Sequence, residues 1–348
     1  MKTTKIQFIF IILFQFIGFV EMKAQQEVKF EHKAKDQKIN IFVGGKLFSA
    51  YMYSAKIDKP VLYPLQTASG TVLSRGFPLN PRPNERTDHP HHIGIWFNYG
   101  DVNGLDFWNN SYAIPDSIKS KYGSIRHRQI LTQEGGKQKG TLVVTADWVD
   151  MKGTVLLKEQ TEFVFSGDAS QRVIERTTVL TAQQQAVSMK DNKEGMLGIR
   201  VARELEMPAD KPEIFTDAQG IPTKVAAMNN KGVTGNFLTS GGKAGNDAWG
   251  TRGNWCLMYG KKNNEPVSIA ILDHPGNPGY PTYWHARGYG LFAANNLGQE
   301  ALSGGKEKLD FSLAAGKSTT FRYKIVISNK VIPTQEVLNK MSLAFGGK

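Results

Sequence analysis

Apolar and polar residues alternate along much of this chain. The alternation is clearest in VLLKEQTEFVF (155–165), where Phe163 and Phe165 take one side and Glu162 and Val164 the other, and in TTFRYKIVIS (319–328). A period of two places one face of a strand on a core and the other toward water. The same signal predicts strands over LFSAYMYS (47–54), IGIWF (93–97), TLVVTADWV (141–149), RVIERTTVL (172–180) and VSIAILD (267–273), with a further strand in MLGIRVA. Gly and Pro punctuate these runs, and no regular succession of long helical patterns separates them. The pattern therefore predicts an all-β fold, an antiparallel β-sandwich.

One helix is expected, near the C-terminus. Thr334 can cap QEVLNKMSLAF, which places Val337, Leu338, Met341 and Phe345 on one face, so the helix is expected to pack at a sheet edge. GGKAGNDAWG (241–250) lacks the strand and helix that flank a nucleotide loop and is read as a mobile surface loop. No period of 20 to 50 residues is present, although the tripeptide Asp-His-Pro occurs at 88–90 and again at 273–275.

The N-terminus has a different character. Lys2 and Lys5 precede an apolar run over residues 6–20, and Ala24 stands at a plausible cleavage point before Gln25. These features predict a signal peptide over residues 1–24 and a single domain over 25–348, periplasmic or secreted. The run is shorter than the roughly 20 apolar residues of a spanning helix, so no transmembrane anchor is expected in the mature chain. No cysteine follows the run to carry a lipid. The one cysteine, Cys256, lies in the apolar WCLMY and reads as a buried structural residue.

The formal charge of +12 falls by two on cleavage, because Lys2, Lys5 and Lys23 leave together with Glu21. Lys and Arg are scattered along the remainder, which argues against a nucleic-acid face and is compatible with an acidic glycan.

Chemistry concentrates in residues 88–108, DHPHHIGIWFNYGDVNGLDFW, with His89, His91 and His92 beside Asp88, Asp101, Asn103 and Asp106. Burying unpaired polar groups costs about a few kcal/mol each, so such density implies partners, water or a ligand. Pro90 biases His89 toward extended geometry, from which His89 and His91 are expected on one face and Asp88 and His92 on the other. A second stretch, LDHPGNPGYPTYWHARGYG (272–290), carries Asp273, His274, Trp284, His285 and Arg287. Between the two lies KDNKEGMLGIRVARELE, in which Glu194 is a candidate base and Arg200, with Arg75 upstream, a candidate clamp for anions or hydroxyls. Trp249 and Trp284 are candidate stacking surfaces for sugar rings. The chain has no GxxxxGK[ST] loop, HExxH helix, paired-cysteine zinc motif or GxSxG elbow.

The motifs DHPHHIGIWFNYGDVNGLDFW, KEGMLGIRVA and ILDHPGNPGYPTYWHARGYGLFAANNLG resemble the PmoA-like family of secreted bacterial proteins, a domain of unknown function that bears the name of a methane oxygenase in label only. The likeness spans most of the chain after the leader, and a leader ending in KAQQ looks like those of Bacteroidetes exports. The resemblance implies a setting of glycan degradation and a galactose mutarotase-like supersandwich. In that architecture a histidine and a carboxylate exchange protons with a sugar held on a concave sheet.

These readings converge on an exported carbohydrate-active enzyme, a glycoside hydrolase or lyase before an epimerase, acting on an oligosaccharide or polysaccharide. His89, His91, Glu194, His274 and His285 are the candidate catalytic groups. Arg75, Asp88, His92, Asp101, Asn103, Asp106, Arg200, Trp249, Trp284 and Arg287 are the candidate substrate contacts. Two alternatives stand beside this one: a glycan-binding protein without catalysis, and an enzyme whose His89, His91 and His285, or His274, hold a divalent metal. The sequence itself requires no cofactor.

Overall fold

The computed structural model describes residues 24–217 and 219–347; apart from Ala24, the expected signal peptide lies outside the described residues. The alternating segments fold into strands. The chain first lays down β1 (Val28–Lys33), β2 (Lys38–Val43), β3 (Lys46–Met52), β4 (Val61–Leu62) and β5 (Ile95–Tyr99). It then runs through four long strands, β6 (Ser124–Glu134), β7 (Lys139–Val149), β8 (Val155–Gly167) and β9 (Gln171–Ala182). After β10 (Val187–Met189), β11 (Gly195–Arg200) returns beside β5, and β12 (Glu213–Thr216) and β13 (Pro222–Val225) form a separate hairpin.

The chain continues through β14 (Asn236–Thr239), β15 (Trp255–Lys262), β16 (Glu265–Asp273), β17 (Tyr283–Arg287), β18 (Leu291–Asn295), β19 (Phe311–Leu313) and β20 (Ser318–Asn329). Two eight-stranded sheets result, ordered β1-β2-β3-β4-β5-β11-β18-β17 and β14-β15-β16-β20-β9-β8-β7-β6. Neighbours within both sheets are antiparallel. This is the all-β sandwich predicted from the alternation.

The core lies between the two sheets. Phe97 of β5 meets Trp148, Phe321 and Tyr323 of the other sheet at ring separations of 6.3, 5.6 and 6.3 Å. Phe163 and Phe165 point inward while Glu162 faces out, as the alternation requires. Each such aromatic removed from water contributes about 1.5–3 kcal/mol. By contrast β5 and β11 are buried at every position. One of their faces packs on the second sheet, and loops cover the other. A strand enclosed on both sides needs no polar face, which accounts for the unbroken apolar run IGIWF.

The C-terminal helix, α2 (Gln335–Phe345), is capped as expected, with the Thr334 hydroxyl accepting from the Val337 amide at 3.3 Å. Its seat differs from the expectation. Leu338 is fully buried among Trp255, Leu257, Leu272 and Val326, on the outer face of the second sheet rather than at its edge. That face carries apolar side chains from three adjacent strands, an area that an edge lacks. Val337, expected on the packed side, is 40% exposed. A second, five-residue helix, α1 (Gln299–Ser303), was not foreseen. Residues 241–250 contain a 3-10 turn with Ala248 buried, so they are anchored at one end. Cys256 is buried, as read. Among the described residues no helix is long and apolar enough to cross a membrane.

Candidate active site

The histidine-rich stretch folds around one buried guanidinium. Arg75 is 1% exposed, and its Nη atoms donate to the carbonyls of Asp88 at 2.7 Å, His89 at 2.8 Å and His92 at 3.1 Å. Drawing three carbonyls to one group bends the chain into a turn, closed by the His92 amide on the His89 carbonyl at 3.0 Å. The extended geometry expected here is therefore overturned. Pro90 takes the second position of the turn, which its fixed φ suits, and His89 adopts a φ of +44°. A positive φ at a non-glycine residue costs of order 1–3 kcal/mol and persists where the surroundings impose it. As a result His89 and His92 lie on the same side, stacked at 4.7 Å with planes 2° apart, and Tyr289 covers the other face of His89 at 5.1 Å.

The charges around the turn assign the protons. Asp88 accepts from His89 Nδ1 at 2.5 Å and from Arg200 Nη2 at 2.9 and 3.0 Å. Burial opposes ionisation of Asp88, but Arg200, the His89 hydrogen bond and Arg75 outweigh it and hold the carboxyl well below the usual carboxylate range. An ionised carboxylate only accepts, so His89 Nδ1 carries a proton. Burial keeps the ring neutral against the pull of Asp88, which leaves Nε2 as a basic lone pair. His92 has the opposite tautomer, since Arg200 Nη1 donates to its Nδ1 at 3.2 Å. His92 Nε2 and His91 Nε2 are buried without a partner among the described residues. Burial holds His91, His92 and His285 neutral.

A carboxylate pair stands beside the imidazoles. The Asn109 amide nitrogen donates to Asp106 Oδ2 at 2.7 Å and also to Glu194 Oε2, joining the two acids through one side chain. Both are buried, and β11 begins immediately after Glu194. Burial and the proximity of Asp106 push Glu194 up, toward a protonated state at neutral pH; Lys193 Nζ, 3.9 Å away, offsets this only in part. A basic imidazole and a protonated carboxyl thus occur together, a division set by environment rather than residue type.

His89, His91, His92, Glu194, His285 and Arg287 line one cleft, with Trp108, Asn109 and Tyr289 in its walls. The hairpin β12–β13 covers it through Phe215, Asp217 and Thr223. The free space beneath is about 20 Å³, room for roughly a single water. Phe215, Arg287 and Tyr289 also border a larger groove of about 460 Å³ that reaches Trp249, whose ring carries the Arg287 guanidinium at 4.5 Å.

The structure does not bring every candidate to this cleft. His274 lies at the end of the second sheet, its Nδ1 accepting from Gly276 and its ring against Phe345 at 5.1 Å. Trp284 is fully buried in the core and offers no stacking face. Asp101 and Asn103 shape a tight turn, the first accepting from Gly104 at 2.9 Å and the second tying Ser188 at 2.7 Å. Arg75, Asp88 and Arg200 are buried behind the histidines and position them, while Asp106 reaches Glu194 only through Asn109. Among the described residues no three His, Cys, Asp or Glu side chains are arranged to hold a metal ion. Sequence reasoning missed Asn109, Tyr289 and the hairpin residues. Asn109 directly follows the DFW motif and Tyr289 lies within the second polar stretch, whereas nothing in EIFTDAQGIPTKV marked a cover.

No curated protein matches this chain. Among solved structures it is similar to a putative aldose 1-epimerase from Escherichia coli K12, with TM-score 0.35 and 10% identity over 88% of this chain and 100% of that one. A galactose mutarotase-like protein from Clostridium acetobutylicum gives TM-score 0.36 and 10% identity over 88% and 99%. The galactosidase domain of an alpha-galactosidase-sucrose kinase gives TM-score 0.38 and 9% identity over 86% of this chain, which spans only 41% of that one. Residues 38–342, nearly all of the chain, match a single family, and the protein therefore belongs to the family of unknown function DUF6807.

Proposed function

We propose that this protein is an exported carbohydrate-active enzyme working by acid-base chemistry, a glycoside hydrolase or lyase before an epimerase. The observation that carries the reading is the pairing, in one cleft, of a neutral His89 oriented by Asp88 with a Glu194 raised by burial. His89 Nε2 accepts a proton, from water in a hydrolase or from a carbon beside a carboxyl group in a lyase. Glu194 delivers one to the departing glycosidic oxygen as its C–O bond breaks. Each role contributes about 10²–10⁴-fold when the donor or acceptor is positioned.

The adjoining groove favours a substrate longer than one sugar. It continues the cleft past Phe215, Arg287 and Tyr289 toward Trp249, a place for further residues that a monosaccharide epimerase does not need. Because the covered cleft holds little more than a water, the β12–β13 hairpin opens to admit substrate. Export rests on the basic and apolar pattern at the N-terminus, and the PmoA-like likeness of the three motifs fits a secreted role.

Incubation with a panel of neutral and acidic oligosaccharides tests this, with products followed by reducing ends and by the ultraviolet absorbance of an unsaturated sugar. Wild type is expected to turn over a responsive glycan repeatedly, and His89→Gln and Glu194→Gln to lose that turnover while remaining folded. Turnover unchanged in both variants would overturn the assignment. The aromatic groove also supports a second reading, glycan binding without catalysis, for which calorimetry detects binding of a glycan that yields no product on prolonged incubation.

A further inference from the structure

Lys59 is 3% exposed, yet its ammonium makes no hydrogen bond or ion pair with any described residue. Its neighbour Asp58 is occupied by the Ser124 hydroxyl at 3.1 Å and Arg126 at 3.4 Å. Asp58 and Asp106 act on the charge through space without bonding it, and the face of Trp96 lies 5.7 Å away. Burial lowers this amine to about 8, so it remains mostly protonated at neutral pH. A buried ammonium whose N–H donors meet no acceptor is costly, and an anion brought to it relieves that cost.

Lys59 borders a cavity of about 160 Å³, several times the roughly 30 Å³ share of one water. His91 separates this space from the histidine cleft by lining both. Ile57, Pro78, Leu79, Pro90 and Ile93 supply apolar walls, and Lys56, Asp58, Ser111 and Tyr112 complete the lining. Asn110 also lines it. Its amide nitrogen donates to the Gly123 carbonyl at 2.8 Å and the Ser124 hydroxyl at 3.0 Å, which fixes the amide and leaves Oδ1 buried and unpaired. Lys59 and Asn110 Oδ1 thus offer this cavity a cationic donor and a neutral acceptor that no described residue hydrogen-bonds.

We propose that this cavity binds a hydroxycarboxylate of the uronic acid class, its carboxylate on Lys59 and a neighbouring hydroxyl donating to Asn110 Oδ1. Lys59 is the one buried ammonium on this lining, Lys56 being exposed, and the Asp58 carboxylate on the same wall disfavours a ligand with more than one negative charge. A phosphate ester, with up to two negative charges, meets stronger repulsion from that carboxylate. The scattered positive charge of the whole chain favours the approach of such anions. Binding here requires neither His89 nor Glu194, so the site stands whether or not the cleft performs catalysis.

Isothermal titration with glucuronate and galacturonate, against glucose and galactose, tests the site. Wild type is expected to bind a uronate at least about tenfold more tightly than its neutral counterpart. Lys59→Met should remove that preference without lowering the melting temperature, since it deletes an unpaired buried charge. His89→Gln should retain the preference. Equal affinity for charged and neutral sugars, a preference surviving in Lys59→Met, or its loss in His89→Gln overturns the proposal. Should Lys59→Met fail to fold, amine acetylation of wild type read by mass spectrometry decides the matter: glucuronate or galacturonate is expected to protect Lys59 several-fold, and absence of protection sinks the proposal.

Discussion

Asp88 Oδ2 lies 2.5 Å from Nδ1 of His89, and the same carboxylate is the counter-charge of Arg200 at 2.9 Å and of Arg75 at 3.5 Å. One side chain thus fixes the tautomer of the proposed base and neutralises two buried guanidinium groups. Replacing Asp88 by Asn keeps the shape and removes the charge. The two arginines then lose their nearest counter-charge and keep only the more distant Glu206, a loss of about 3–5 kcal/mol. His89 is also freed to place its proton on Nε2, which removes the basic lone pair from the cleft. Urea denaturation should show the stability loss, and turnover on a responsive glycan should fall by roughly 10²–10⁴-fold. An Asp88→Asn protein as stable and as active as wild type contradicts the arrangement.

Two sets of buried groups lower stability as pH falls. His91, His92 and His285 are held neutral in the fold, below their ordinary 6.5. Under acid conditions the unfolded chain takes up these protons first, so stability is lost as pH drops below that value. The second set is Asp88, whose folded value lies beneath its ordinary 3.8. Its contribution is complete above 3.8 and disappears as pH falls through the folded value. Denaturant midpoints measured across this range should show the lower decline, and Asp88→Asn should flatten it while leaving the histidine contribution unchanged. Because Glu194, Asp106 and Asp273 are raised in the fold and act with the opposite sign over the same interval, the histidine contribution is read as the difference between wild type and His285→Gln, and a difference that stays constant between pH 6.5 and 4, an interval of roughly two and a half units, is incompatible with a buried neutral imidazole there.

Glu194 has the opposite sign. Its folded value is raised above 4.5 by burial and by Asp106, so the unfolded chain releases the proton first as pH rises. Stability is then lost between 4.5 and the folded value, and at neutral pH the native carboxyl is a burden. Gln at this position preserves the acceptor for Asn109 and never ionises. Glu194→Gln should raise the melting temperature by a few degrees at pH 7 and above, with little change at pH 4. It should also abolish turnover, a trade of stability against activity common at catalytic groups. Differential scanning calorimetry at the two pH values checks the first claim, and a destabilised variant at neutral pH would count against a protonated Glu194.

The fold was legible where burial is one-sided, because β8 and β20 write their inward and outward faces into alternate residues. The site was legible as a density of titratable groups around His89 and Glu194, but not in its depth. A sequence shows that Arg75 and Arg200 are guanidinium groups and does not show that they lie behind the histidines, so from sequence both read as clamps for substrate. His274 illustrates the same limit. Its Asp-His-Pro tripeptide forms the same turn as the first copy, with the Asn277 amide on the His274 carbonyl at 2.9 Å and the His92 amide on the His89 carbonyl at 3.0 Å. Yet Asp273 spends its oxygens on Asn277, Thr282 and Asn296 rather than on the adjacent imidazole. Local sequence set the turn, and the strand to which it is attached decided whether it met the cleft.

Gly198, in the middle of β11, supplies the space on which the histidine turn rests. A Cβ there would stand 2.5 Å from Trp96 Cζ2 and 2.9 Å from Trp108 Cη2, closer than side-chain carbons approach. Neither indole has room to yield, since both are buried to within 1% and Trp96 stacks on His92 at 5.0 Å. Gly198→Ala should therefore displace the indoles toward His92, costing roughly 1–3 kcal/mol of stability and disturbing the base through the His92–His89 stack. Gly241→Ala provides the control. Gly241 lies in an exposed turn, its would-be Cβ 3.9 Å from the only neighbour, and substitution there should change stability by no more than about 0.5 kcal/mol. Chemical denaturation of the two variants side by side distinguishes a packing floor from a glycine of no consequence. Equal stabilities would mean that the indoles shift freely, and then His89 is not held by the stack described above.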